Sequence, residues 1–283
     1  GQLFYRFGRK GGIGMAKNLK FELDRAFRNR RMAAALAVGC ALSLWHLWEY
    51  VLPVRGYVVS GDYPLSSYGK WMGGENYSLQ ATVYFMWVPI LCALPHSGSF
   101  AFDCASGYGS QAASRQGWKP YLRAKYLAVF LSGAAVAVLP LAFDFLMTSL
   151  FLPAVRPQAG LGLFPIGADG FLGGLYYAHP FLYLCLYLGM DGIFFGLFTT
   201  LSLCASLFTR NRFAVLLAPF LAYMFFYALG TTTLQLAACP AGFLRPSQLF
   251  VPRWPWLLGE LALLLAGGAG FFAGFRRAER GLL

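Results

Sequence analysis

Six stretches of this chain stay apolar for longer than the core helix of a water-soluble protein requires. A helix needs about 20 residues to cross a hydrocarbon layer. The pattern predicts spans over Met32–Pro53, Leu79–Pro95, Leu127–Leu152, Tyr176–Phe208, Phe213 to about Gly230, and Trp254–Phe275. The second is the shortest and contains Pro89. The fourth exceeds one crossing, so a tilt or break is expected near Pro180.

Composition supports that reading. Hydrophobic residues make up 58% and charged residues 12% of 283 residues, and mean hydropathy is +0.55. A soluble domain carries about a quarter of its residues charged. Half that amount cannot cover a water-soluble fold of this length. The fold class predicted is therefore all-α, a polytopic integral membrane protein with six transmembrane helices.

The placement of charge sets an orientation. With a cytoplasmic N-terminus, the inner segments hold eighteen of the 23 Lys and Arg. The other five (Arg55, Lys70, Arg156, Arg245, Arg253) fall in outer segments. This positive-inside asymmetry predicts both termini on the cytoplasmic side. It also accounts for the net charge of +12 without a nucleic-acid partner. The outer loops carry Trp, Tyr, Pro and Gly, which suit an interfacial aromatic belt and short structured loops.

Ahead of the first span, residues 15–31 (MAKNLKFELDRAFRNRR) place Leu19, Leu23, Ala26 and Phe27 at helical spacing among basic residues. An amphipathic helix at the cytoplasmic interface is expected. Residues 1–14 differ in texture and read as an N-terminal extension, native or left by expression, with Met15 a candidate start. Residues 15–283 form one transmembrane domain.

Several chemistries are not encoded. The sequence has no GxxxxGK[ST] phosphate loop, no HExxH and no GxSxG. The six cysteines form no CxxC, and His46, His96 and His179 lie in separate segments, each reading as an interfacial or packing histidine. No catalytic, metal or cofactor site is expected in this polypeptide.

Two sets of residues stand out instead. Glu49, Asp144, Asp191 and Glu260 fall within apolar segments, where an ionised group costs at least about 2.5 kcal/mol. They are candidates for a polar translocation path, or for helix–helix hydrogen bonds and pairing with outer arginines such as Arg156 and Arg253. The second set is the cytoplasmic loop between spans two and three. It opens on Asp103, Ser106 and Gly107, then leads through Arg115, Trp118, Tyr121, Arg123 and Lys125 into the third span. It can form a short amphipathic helix that docks a cytosolic protein, or a basic loop at the lipid surface.

D-C-A-S-G-Y at 103–108, Arg115 and Y-L-R-A-K at 121–125, behind an amphipathic helix and ahead of A-V-F-L-S-G-A-A-V-A-V-L-P at 128–140, form an ordered set. This order resembles the permease subunits of bacterial ABC-2-type ATP-binding-cassette transporters across nearly the whole chain. An Asp stands where Glu is commoner in that family, and the fourth span is longer than a simple crossing.

The resemblance implies an ABC-2 (type V exporter-like) transmembrane domain in a bacterial cytoplasmic membrane. Its loop between spans two and three would be the coupling helix, with Asp103, Ser106, Gly107, Arg115, Trp118, Tyr121 and Lys125 as coupling residues. The interfacial helix, with Phe21, Glu22, Arg25 and Phe27, would also touch the ATPase. Short re-entrant helices would lie between spans five and six. Partners would be two cytosolic ATPase subunits carrying ATP and Mg, a second permease copy or a related permease, and membrane lipids. The activity implied is ATP-driven export of an amphipathic substrate such as a lipid, peptide or drug. An ion-gradient-driven carrier and a non-transporting membrane scaffold are the alternatives.

Overall fold

A computed structural model describes residues 18–60, 65–158, 166–167, 169–209, 211–248 and 251–281. The extension at 1–14 and the first three residues of the expected interfacial helix lie outside them. Among the described residues all regular structure is helical, and the chain is a multi-pass membrane protein. Five helices among the described residues are long and apolar enough to cross a membrane.

The amphipathic segment forms helix α1 over residues 18–27. Asn29 ends it and starts the next helix. Its Oδ1 accepts the Met32 N–H at 2.7 Å, while its Nδ2 donates to the Arg25, Ala26 and Pro95 carbonyls. Helix α2 then runs Arg30–His46 and continues through one wide turn, Leu47–Val51. Helix α3, Leu79–Ala93, is capped by Ser78. Two short helices follow, α4 (Ser99–Ala105) and α5 (Tyr108–Gln116). Helix α6 runs unbroken from Trp118 to Phe151. Helix α7, Pro180–Phe208, is separated by His179 from a short helix at Gly173–Ala178, with Pro180 in its first turn. Helices α8 (Arg212–Thr232) and α9 (Trp254–Gly281) complete the bundle.

Helices α6 and α7 form its centre. Glycine permits their close approach, since any Cβ at Gly133 would collide with Thr199 and one at Gly196 would collide with Phe130. Small residues at such seams let backbones come near enough for van der Waals contact, which replaces the hydrophobic driving force missing in lipid. Helix α2 packs on α6 and α3, while α8 and α9 pack on α7.

Helix α3 has only 15 residues, or roughly 22 Å at about 1.5 Å per residue, against a hydrocarbon core of about 30 Å. The loop before it is enclosed by protein. Trp71 and Met72 are buried, Ser67 donates its N–H to the Pro153 carbonyl, and Ser247 donates its N–H to the Gly73 carbonyl. Buried irregular backbone needs such partners for its polar groups. The segment after α8 folds inward in the same way. Its short helices Leu236–Ala238 and Pro240–Phe243 lead to fully buried Phe243 and Leu244.

Candidate functional site

The charged residues of α1, α4 and α6 meet in one buried cluster at the end of the bundle that also carries the last turns of α9. Glu22 lies on the inner face of α1, one turn before Arg25. Asp103 lies on the inner face of α4, and Tyr121 and Lys125 are one turn apart at the start of α6. Each is placed by its neighbours' helical spacing rather than by a loop.

Lys125 Nζ donates to Glu22 Oε2 at 2.6 Å and to Asp103 Oδ2 at 2.6 Å. Arg25 spans the same two acids, with Nη1 at 3.2 Å from Glu22 Oε1 and Nη2 at 3.0 Å from Asp103 Oδ1. The Tyr121 hydroxyl donates to Asp103 Oδ2 at 2.8 Å, and His96 Nε2 lies 3.0 Å from Glu22 Oε2. Lys125 and Asp103 are wholly buried, and Glu22 is 2% exposed. Two carboxylates therefore face two cations.

Burial alone would raise both acids. The His96 hydrogen bond and the Lys125 ammonium overcome it and hold Glu22 at about 2. For Asp103 the Arg25 hydrogen bond and Lys125 do the same, and its carboxyl falls below the ordinary value. Burial pushes His96 down, against a smaller upward pull from Glu22, so the ring is neutral near pH 7 and offers its Nε2–H to the carboxylate. Buried charges persist only when paired and hydrogen-bonded. Every charge in this cluster meets that condition.

Aromatic packing surrounds it. Arg25 lies over Phe21 at 5.7 Å and over Tyr108 at 5.5 Å. Trp118 packs on Phe275 at 4.8 Å, and Phe100 on Phe271 at 5.3 Å, which fastens α4 and α6 to the end of α9. Gly107, at φ 73°, makes the turn between α4 and α5, and Ser106 Oγ donates to the Asp103 carbonyl.

Of the residues expected at the loop, Asp103, Tyr121 and Lys125 thus join Glu22 and Arg25 directly. Ser106, Gly107 and Trp118 shape the surround, and Phe21 covers Arg25. Phe27 stays largely exposed away from the cluster, and the Arg115 side chain lies outside the described residues. The stretch 118–125 belongs to α6 rather than to a loop. His96 and Asn29 were not singled out by the sequence. The only signal for His96 was a histidine set just after an apolar run, which by itself does not point to a charge cluster.

The four acids in the apolar segments divide into two pairs. Asp144 Oδ1 lies 3.1 Å from His46 Nδ1, and its Oδ2 accepts the Met72 N–H at 2.6 Å. Glu49 accepts from Gln80 Nε2 at 2.6 Å. Asp144 joins α6 to α2 and the buried loop, and Glu49 joins the end of α2 to α3. Asp191 is fully buried and among the described residues neither of its oxygens has a partner, nor does Glu260 Oε2. Two of the arginines expected on the outer side donate to backbone carbonyls instead. Arg156 donates to the Tyr177 carbonyl. Arg245 donates to the Glu75 and Asn76 carbonyls at 2.6 and 3.1 Å, and burial pushes it down to about 10.

No protein-family model, curated protein or solved structure matches this chain.

Proposed function

We propose that this chain is the transmembrane permease subunit of an ATP-binding-cassette transporter of the ABC-2 type, with its basic end facing the cytoplasm. The observation that supports this reading is the Glu22–Arg25–Asp103–Lys125 cluster. It makes α1, α4 and the first turns of α6 one mechanical unit, and α6 is the longest helix of the bundle core. A push on α4 and α5 is carried into α6 without passing through a soft loop. ATP and Mg are supplied by two separate ATPase subunits, and a second permease copy or a related permease completes the path. The cargo is an amphipathic molecule moved outward. In this reading α3 also crosses the membrane, completed by the buried loop before it.

The test is co-expression with candidate ABC ATPase subunits, any encoded in a neighbouring gene first. The wild-type chain is expected to purify as a complex whose ATPase rate rises with cargo. Ser110→Glu and Gln111→Glu lie on the exposed face of α5 and are expected to release the ATPase while the chain stays folded. Failure of the wild-type chain to bind any ATPase would sink the assignment.

A second reading rests on Asp191. A carboxylate fully buried in α7 with neither oxygen partnered can take up and release a proton, as an ion-gradient-driven carrier requires. Uptake into proteoliposomes that follows an imposed pH gradient with no ATPase present would favour it.

A further inference from the structure

Between α8 and α9, at the end opposite the charged cluster, lies a partly open cavity of about 270 Å³. Phe226, Leu229, Ala238, Trp256 and Leu263 make its walls, and among the described residues no Lys, Arg or His lines it. Glu260 also lines it, is only 5% exposed, and leaves Oε2 without a hydrogen-bond partner. Glu260 stands six residues into α9, so it lies roughly 9 Å below the start of that helix at Trp254. Helices α8 and α9 scarcely touch, so the cavity is a gap between them rather than a packing void.

From this geometry we infer that the cavity is a binding site for an organic cation carried on an apolar body, an alkyl- or arylammonium, whose charged head pairs with Glu260. Each alternative ligand class fails on the lining. A metal ion needs six or more oxygens or a tight cluster of ligands, and this cavity offers one carboxylate. An anion would meet Glu260 with no compensating cation. A purely apolar molecule would fill the walls and leave the carboxylate buried and unpaired, which is the costly arrangement. An ammonium pairs the carboxylate, and the Trp256 and Phe226 rings in the lining offer faces for cation–π attraction. The volume matches about nine waters, enough for a head group and the first methylenes, with the remaining tail lying in the gap between the helices. The site does not depend on whether an ATPase drives the chain.

The probe is radiolabelled decyltrimethylammonium, measured by equilibrium dialysis against the full-length chain in maltoside micelles, with empty micelles as the blank. Saturable binding is expected, competed by unlabelled probe and not by decanol or decyl sulfate. Glu260→Gln keeps the shape and removes the charge, and is expected to weaken binding at least tenfold. Leu263→Trp keeps Glu260 and fills the cavity from an exposed position, and is expected to abolish binding without unfolding the chain. Phosphatidylethanolamine added to the micelles separates the two sources of such a cation. Competition by it identifies a lipid headgroup as the occupant, and no competition identifies a free amine. Equal saturable binding by wild type and Glu260→Gln, binding retained by Leu263→Trp, or uptake no different from empty micelles would each overturn the inference.

Discussion

Glu22 and Asp103 share a single ammonium: Lys125 Nζ sits 2.6 Å from a carboxylate oxygen of each. One acid belongs to α1, ahead of α2, and the other to the short helix α4 that follows α3. Helix α4, with seven residues, is too short to hold its place alone, since isolated helices under about 12 residues are marginal. The buried charges hold it and α1 against α6. The pairing therefore joins peripheral elements to the core of the bundle.

Removing the ammonium should expose that dependence. Lys125→Met leaves two buried carboxylates sharing Arg25 alone, and breaking a buried pair costs about 3–5 kcal/mol. Glu22→Gln alone should destabilise by a similar amount. The double variant should lose clearly less than the sum, because it removes one charge of each sign. Thermal unfolding of the four proteins in maltoside measures the coupling, and strictly additive losses would refute a shared network.

Acid should release α1 from the bundle. Glu22 is held at about 2, below its ordinary value of 4.5. Its contribution is complete above about pH 4.5 and is lost as the pH falls toward 2, and Asp103 shifts in the same direction. Pepsin cleavage near Phe21 and Leu23, normalised to an unfolded substrate, should rise through that window. In Glu22→Gln, which cannot ionise at that position, cleavage should already be high at pH 4.5. A profile flat from pH 5 to 2 would disprove the linkage.

The sequence made some of this legible. Apolar runs marked the long helices because nothing else accounts for twenty residues without charge, and the Lys/Arg asymmetry marked one end of the bundle. It could not show that Trp71 and Met72 turn inward. Their Gly- and Tyr-rich surroundings read as an outer loop, and burial there depends on the shortness of α3 and on Asp144 meeting the Met72 N–H. Asp103 and Lys125 stood out as polar residues in one loop, while Glu22 and Arg25 entered only as residues of the interfacial helix that the resemblance implies. Their meeting is a tertiary fact, carried by the continuation of α6 back to Trp118. The four membrane acids looked alike in sequence. Only their neighbours separate the satisfied Asp144 and Glu49 from the unpartnered Asp191 and Glu260.

The seam between α6 and α7 should be intolerant of side chains. Gly133→Val drives a branched side chain into Thr199, and overpacking of this kind costs about 1–3 kcal/mol or more. Gly174→Ala points into open space and serves as the control. The yield of monodisperse protein on gel filtration should fall for the first and hold for the second. Equal yields would mean that the helices can separate without loss.

Asp144 and Asp191, the buried aspartates of α6 and α7, should respond in opposite ways. Asp144 accepts the Met72 N–H and meets His46, so Asp144→Ala orphans a buried donor at a cost of about 1–3 kcal/mol. Asp144→Asn retains an oxygen for Met72 and should recover part of that loss. Asp191 supports no hydrogen bond, so Asp191→Asn removes an ionisable group and breaks no contact. Its stability should be unchanged, or higher by up to about 3 kcal/mol, the scale of placing Asp at the centre of a spanning helix. Thermal unfolding separates the cases. If Asp191→Asn loses as much stability as Asp144→Ala, Asp191 holds the fold together. If it keeps its stability and loses transport, the carboxylate is present for what it does to cargo or protons, because packing alone gives the protein no reason to retain it.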